Sequence, residues 1–118
     1  MKQFLIITQS APYGSSRAKE ATDLALATAL FEQQVSMLFM GDGVYQLLAN
    51  QNPQAIEQKN LGAMQQALPL YDVEALYVCS ESLKARGLAA DDLAINVTPL
   101  SSGEITTLFN AQDHIFNV

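Results

Sequence analysis

The sequence predicts an α/β domain in which a doubly wound, five-stranded, mostly parallel sheet carries helices on both faces. Three observations predict this class. Strand-like and helix-like segments alternate along the chain, the strand-like segments are continuous apolar runs, and turn residues follow most of them. At 118 residues we expect a single domain over residues 1–118, which can bury a core without disulfides.

The first strand and first helix are set by an apolar run and a helical repeat. Residues 4–7 are uninterrupted apolar sequence, as expected of a strand covered on both faces. Residues 11–16 carry turn chemistry, with Ser15 or Ser16 placed to cap a helix. Apolar residues then recur at three and four positions over residues 17–33, which contain neither Gly nor Pro and therefore predict a helix with one buried face.

The second strand and second helix are predicted from the same two patterns, an apolar run and a helical spacing of apolar residues. Residues 35–40 are the next apolar strand, and a Gly-Asp-Gly turn stops it. One helical turn is expected over residues 44–48. The spacing of apolar residues predicts a helix over residues 53–68, with Pro53 near its start and Gly62 weakening its middle.

The third strand leads directly to the only cysteine of the chain. Residues 75–78 are a short apolar strand that ends at Cys79. Ser80 is expected to cap a helix that continues over residues 82–86 and is closed by Gly87 in the C′ position. Cys79 should therefore lie where a strand passes into a helix.

The last three elements complete the alternation. Residues 93–97 are predicted as the fourth strand, ended by Thr98 and Pro99. Ser101 and Glu104 have the spacing of a capping box for a helix that runs to about residue 110. Residues 114–118 form the terminal strand.

The candidate site is the edge where the carboxyl ends of the strands meet, because ligands and reactive groups collect there in open parallel sheets. Residues 11–16, 41–45 and 79–82 all reach this edge. Cys79 is the one residue whose chemistry would be a function in itself. At the start of a helix its sulfur faces unpaired backbone N–H groups, which favour the thiolate and would suit a persulfide carrier.

Cys79 has a second interpretation that the sequence leaves open. A free cysteine at the end of an apolar strand commonly fills a core position and has no chemical role. Tyr13 and Tyr45 are expected near the same edge, where with Ser80 they would shape a pocket or a contact surface.

The glycines at this edge raise a different hypothesis. Gly41, Asp42 and Gly43, together with Gly14, would bring backbone amides close to an anion in a nucleotide or small-anion binding module. These glycines lack the spacing of a dinucleotide fingerprint, and turn geometry accounts for them as well.

Composition limits the remaining classes of function. Six Lys and Arg residues against twelve Asp and Glu residues give a net charge of −6, the wrong sign for gripping a phosphate backbone, so we expect no direct nucleic-acid binding. One Cys and one His, His114, cannot supply the ligands of a zinc site or a convincing catalytic pair, and we expect neither a metal nor a cofactor.

No apolar run approaches a membrane span, which predicts a cytoplasmic protein that does not associate with membranes. Charged residues are only 15% of the chain, which predicts burial of part of the surface against another chain.

Four segments together resemble one family. They are residues 10–14 (SAPYG), 41–48 (GDGVYQLL), 70–74 (LYDVE) and 77–88 (YVCSESLKARGL), in that order and spacing. On these segments the chain resembles the DsrE/DsrF-like sulfur-transfer proteins, and the match runs nearly from end to end. Within the family it resembles the C-type subunit.

The resemblance implies a doubly wound domain that joins B-type and D-type homologues in a heterotrimer, two of which pair into a hexamer. In that family sulfur arrives as a persulfide and leaves to a downstream sulfur-carrier protein, toward the 2-thio group of a wobble uridine in transfer RNA. The transfer cysteine is assigned to the D-type subunit. We therefore expect an accessory subunit that builds the complex. The alternatives are that Cys79 carries sulfur itself or that the chain serves the homologous dissimilatory sulfur-oxidation complex.

Overall fold

The computed structural model describes residues 2–11, 17–31, 33–48, 65, 67–71, 73, 75–93 and 95–118. These residues include five strands, which are β1 (Gln3–Thr8), β2 (Gln34–Phe39), β3 (Ala75–Cys79), β4 (Thr98–Leu100) and β5 (His114–Asn117). The α-helices among them are α1 (Arg17–Ala29), α2 (Ser80–Ala85) and α3 (Ser102–Asn110). Three 3₁₀ segments lie at Gly41–Leu47, Leu68–Tyr71 and Ala90–Asp92.

The strands form one sheet in the order β4-β3-β2-β1-β5, and all four pairings are parallel. This confirms the predicted five-stranded α/β class. Because every strand runs the same way, all the carboxyl ends lie along one edge, which is where the sequence places the candidate site. In the described part of the chain, no helix is both long and apolar enough to span a bilayer.

Two layers of apolar side chains bury the sheet from opposite sides. On one face, which we call the α1 face, strand residues such as Ile6, Met37 and Val78 pack with Ala21 of α1 and Leu83 of α2. The opposite face, the α3 face, buries a smaller set under Ile105 of α3: Leu5, Ile7, Leu38, Cys79 and Leu100. Strands buried on both sides read as continuous apolar runs, which explains why the sequence revealed β1, β2 and β3.

The predicted fourth strand was wrong. The strand is Thr98–Leu100, whereas Leu93 forms only an isolated bridge with Leu48, and Ile95 and Val97 lie in a connection and pack against the core of the α1 face. Pro99 is tolerated inside β4 because β4 lies at the edge of the sheet, where a missing N–H group on the outer side breaks no ladder bond. Apolar residues that cover a core from a loop resemble a strand in sequence.

Several elements also begin or end at residues other than those predicted from the sequence. Helix α1 ends at Ala29, four residues before the predicted end, and a tighter bond from the Phe31 N–H to the Thr28 carbonyl follows it. The expected helical turn after β2 is a longer 3₁₀ segment that begins at Gly41. The helix predicted over residues 53–68 falls mostly outside the described residues.

The caps of α2 and α3 follow local sequence rules. Ser101 and Glu104 form the predicted capping box, in which each side chain accepts a hydrogen bond from the backbone N–H of the other residue. Gly87 follows α2 with a φ of 67°, the left-handed conformation expected of a C′ glycine. At the start of α2 the N-cap is Cys79, and Ser80 is the first helical residue rather than the cap.

The 3₁₀ segment Gly41–Leu47 lies against the carboxyl end of β1. A Cβ atom built on Gly43 would overlap the carbonyl oxygen of Thr8 and would lie 3.0 Å from its carbonyl carbon. Both are backbone atoms, so a side chain at position 43 cannot be accommodated by a rotamer change. Only glycine permits this approach.

We expect Gly43→Ala to lower the free energy of unfolding by about 2 kcal/mol or more, because the strand and the 3₁₀ segment must separate to admit a methyl group. Gly103→Ala is the matched control, since its Cβ would have no atom within 4 Å, and it should raise stability by up to about 1 kcal/mol. Urea denaturation measures both. Equal effects of the two substitutions would contradict the close packing at Gly43.

Candidate functional site

The connections from β3 and β4 leave the sheet on opposite faces. Strand β3 passes into α2, whose Leu83 packs on the α1 face, whereas β4 passes into α3, whose Ile105 packs on the α3 face. Neighbouring parallel strands with diverging connections leave a crevice beyond their carboxyl ends, the position where such sheets bind ligands. In this chain that switch point lies between β3 and β4.

Cys79 lies at this switch point. It is the last residue of β3, and its backbone pairs with Leu100 of β4. Its side chain belongs to the α3-face cluster, and only 7% of the residue is exposed. As N-cap of α2 it makes no side-chain capping hydrogen bond. The thiol is therefore at the predicted edge of the sheet but is packed among apolar side chains.

A groove of about 300 Å³ lies beside the cysteine on the α3 face. Its lining comes from β3, β4 and α3: Tyr77, Leu100, Glu104, Thr107 and Leu108. Leu100 is the strand partner of Cys79, and Tyr77 precedes Cys79 by two residues on the same face of β3. The groove is therefore lined by residues that neighbour Cys79 along β3 and across to β4.

Glu104 gives the groove a negative rim. The backbone N–H of Ser101, and then its hydroxyl, hold the pKa of Glu104 below its ordinary value of 4.5. The carboxylate therefore stays ionised through the neutral range. Apolar walls with one fixed negative charge suit an apolar or positively charged group of a partner better than an anion.

On the α1 face a polar clamp ties α2 to the 3₁₀ segment. The Arg86 guanidinium donates from Nη2 and Nε to Asp42 Oδ1, at 2.9 and 3.2 Å, and from Nη1 to the carbonyl oxygen of Ser82. Its carbon Cζ lies 5.9 Å from the centre of the Tyr45 ring. The hydroxyl of Ser82 accepts the backbone N–H of Gly41 at 3.0 Å. These contacts hold in place the helix that begins directly after Cys79.

The glycine-rich turn makes a poor anion cradle. The N–H of Gly41 is used by Ser82 and the N–H of Gly43 by the carbonyl of Met40. Gly41 has a φ of 53°, and Gly43 is required by its contact with β1, so turn geometry and close packing explain both glycines. Tyr13 and Gly14, the other residues of that hypothesis and of the predicted pocket, lie outside the described residues.

A buried amide secures the other end of the 3₁₀ segment. Gln46 is almost fully buried, and its Nε2 donates to the Thr8 hydroxyl at 2.9 Å and to the Ser10 carbonyl at 2.7 Å. Its Oε1 accepts from Nε2 of Gln65 at 3.2 Å. Satisfying a buried amide on both sides fixes one position of the segment over β1.

The sequence-predicted site residues thus divide between the two faces of the sheet. Gly41 contacts α2, and Asp42 and Tyr45 contact Arg86 at the end of α2, whereas the Cys79 side chain packs on the α3 face. Sequence reasoning gave no role to Arg86 and missed the groove. Strand parity was the available signal for the thiol, because residues 77 and 79 must share a face when residues 76 and 78 share the other.

The DsrE/DsrF-like family model matches residues 2–118 of this chain. A curated protein of Vibrio parahaemolyticus called "Protein TusC homolog" is 42% identical over 105 residues, which are 89% of each chain. The "Intracellular sulfur oxidation protein DsrF" of Allochromatium vinosum is 35% identical, covering 99% of this chain and 96% of its own.

The crystal structure of the ychN protein from E. coli superposes with a TM-score of 0.86 over 100% of both chains. Its sequence is only 23% identical, so this likeness concerns the fold alone.

We expect Arg86→Ala to make Cys79 react about 5 to 30 times faster with a soluble thiol reagent. Losing charge-assisted bonds worth about 1–2 kcal/mol favours local opening of α2. Because Cys79 is the N-cap of α2, this opening also frees the end of β3, and the thiol reacts when that end leaves the cover of α3. Lys84→Ala is the control, because Lys84 is exposed on the same helix and lies outside the clamp. If wild type, Arg86→Ala and Lys84→Ala all react at the same rate, the clamp does not control access to the thiol.

Proposed function

Because this chain belongs to the DsrE/DsrF-like family, we propose that it is a C-type subunit of a cytoplasmic sulfur-relay complex. In this role it builds the assembly, and a homologous subunit carries the persulfide. The observation that carries the proposal is the match over residues 2–118, together with relatives whose names place them with TusC and DsrF. Its partners are B-type and D-type homologues in a dimer of heterotrimers, and a downstream sulfur carrier that contacts the complex.

The environment of the thiol supports an assembly role over a carrier role. A sulfur carrier must present its thiolate to two successive partners. Cys79 does not meet this requirement in the structure, because only 7% of the residue is exposed. Its side chain packs in a cluster of apolar residues, which does not favour an ionised thiol. Charged residues make up only 15% of the sequence, and the large apolar side chains of Leu30, Phe31 and Leu70 are exposed, which fits a chain that works among neighbours.

The product side of the relay has two candidates. We place the chain in the pathway toward 2-thiouridine at the wobble position of transfer RNA, which fits the relatives called TusC. The second candidate is sulfur oxidation, which is favoured by the 35% identity to the Allochromatium protein named for that process. The chain itself needs no nucleic-acid surface in either case, and its charge of −6 opposes one.

Co-expression with the B-type and D-type homologues should give one stable complex in size exclusion with light scattering, containing the three chains in equal amounts. The physical reason is that a charge-poor surface lowers its free energy by burial against similar chains. A co-expressed protein without a sulfur-relay connection serves as the control. Recovery of this chain free of both partners would refute the assembly proposal.

In a strain deleted for this gene we expect 2-thiouridine to fall in the transfer-RNA nucleosides, as measured by mass spectrometry. Cys79→Ala should restore it, because the substitution removes the sulfur but keeps an apolar side chain in the cluster. Cys79→Ser is the matched comparison, since a buried hydroxyl without a partner costs about 1–3 kcal/mol and separates packing from sulfur chemistry.

Two other outcomes would change the role of Cys79 or the pathway of the chain. An intact complex with Cys79→Ala that restores no 2-thiouridine would make Cys79 a sulfur carrier. Unchanged 2-thiouridine in the deletion strain would place the chain in another pathway, and loss of sulfur oxidation would identify that pathway.

A further inference from the structure

Strand β5 is an edge of the sheet, with no further strand beside it among the residues that the structure describes. It pairs with β1 on one side and is the last strand in the sheet order. All four of its residues are exposed, including Ile115 at 44% and Phe116 at 39%. Its sequence His-Ile-Phe-Asn has no Pro and no Lys, Arg, Asp or Glu, and such residues normally keep an edge from pairing with another chain.

The opposite edge shows how this fold protects a strand. Strand β4 has three residues, and Pro99 in its centre has no N–H group to donate. Short length and proline are two of the devices that keep edges from pairing. The contrast within one sheet indicates that β5 is left available and β4 is not.

The backbone of β5 has groups that point outward. The Val118 N–H bonds to the Ile7 carbonyl, so the alternating ladder directs the backbone groups of residues 114 and 116 toward β1. Just before the strand the alternation is broken, because the Asp113 N–H also bonds to β1, at the Gln3 carbonyl. Those of Ile115 and Asn117 face away from the sheet. Among the described residues, no strand lies on that side of β5 to receive them.

The side chains of β5 are self-complementary when the strand is reversed. On the α1 face, His114 and Phe116 flank Phe4, with ring centres 5.0 and 5.9 Å from the Phe4 ring. On the α3 face, Asp113, Ile115 and Asn117 follow one another as acid, apolar and amide. Asp113 Oδ2 accepts from the Gln3 N–H, and Asn117 Oδ1 accepts from Gln9, which leaves the Asn117 amide hydrogens facing away from that bond.

We propose that β5 pairs antiparallel with β5 of a second copy of this chain, about a two-fold axis at Ile115, so that two sheets join into one. In this register Ile115 opposes Ile115, His114 opposes Phe116, and Asp113 opposes Asn117. Directly opposed residues share a face, so rings meet rings and a carboxylate meets an amide that can donate to it. No pair of like charges is opposed.

The second copy is the occupant that these features fit. A foreign strand needs its own matching order of side chains, whereas reversal of β5 supplies that order from the same sequence. The contact is small and each copy carries a charge of −6, so we expect a dimer with a dissociation constant of roughly micromolar strength. The proposal is independent of the sulfur relay, because it concerns the edge far from β3 and Cys79 in the sheet order.

The test uses the full chain in sedimentation velocity over micromolar concentrations. Ile115→Lys places two like charges opposite each other at the axis and should weaken the dimer by roughly tenfold or more. Leu30→Lys is the control, because Leu30 is 70% exposed at the end of α1 and receives the same change of charge. It should leave the association unchanged.

A mixing experiment tests the register. Ile115→Lys and Ile115→Glu chains should each be largely monomeric alone and should associate when mixed, because opposite charges then meet at position 115. A wild-type chain that stays monomeric throughout, equal weakening by Leu30→Lys, or a mixture that fails to associate would each overturn the proposal. Far-UV circular dichroism of the variants verifies that all of them are folded.

Discussion

The contact between the Gly41–Leu47 segment and the carboxyl end of β1 is the constraint on which the site depends. Gly43 lets the segment approach the Thr8 carbonyl, and the buried Gln46 amide bonds to the Thr8 hydroxyl and the Ser10 carbonyl. A buried amide pays a desolvation cost unless its partners are in place, so this contact has one favourable geometry. The position of the segment then determines where Asp42 and Tyr45 stand.

The Gly41–Leu47 segment in turn determines the position of α2, and α2 begins directly after Cys79. Arg86 and Ser82 bind Asp42 and Gly41, which fixes a six-residue helix too short to be stable by itself. Because Cys79 is the N-cap of this helix, anything that frees α2 also frees the backbone of the cysteine. The Asp42–Arg86 pair is partly exposed, so its strength lies in its several bonds and in the neighbouring ring and less in the charges alone.

The sequence predicted those parts of the fold that local patterns determine. Continuous apolar runs identified β1, β2 and β3, and the Ser101–Glu104 spacing identified the start of α3, because each depends on neighbouring residues alone. It failed at residues 93–97, since Ile95 and Val97 are apolar for a reason that only the packed core reveals. The partners Asp42 and Arg86 lie 44 residues apart, and no local pattern joins them.

The position of Cys79 was predicted from the sequence, and the direction of its side chain was not. Helix α3 returns across the sheet to reach β5, and this crossing is what covers the α3 face of β3 and buries the thiol. The same crossing leaves β5 on the far side of β1 with nothing beyond it in the sheet order. One connection therefore has two effects: it covers the side chain of the only cysteine, and it leaves β5 as the edge strand on the far side of β1.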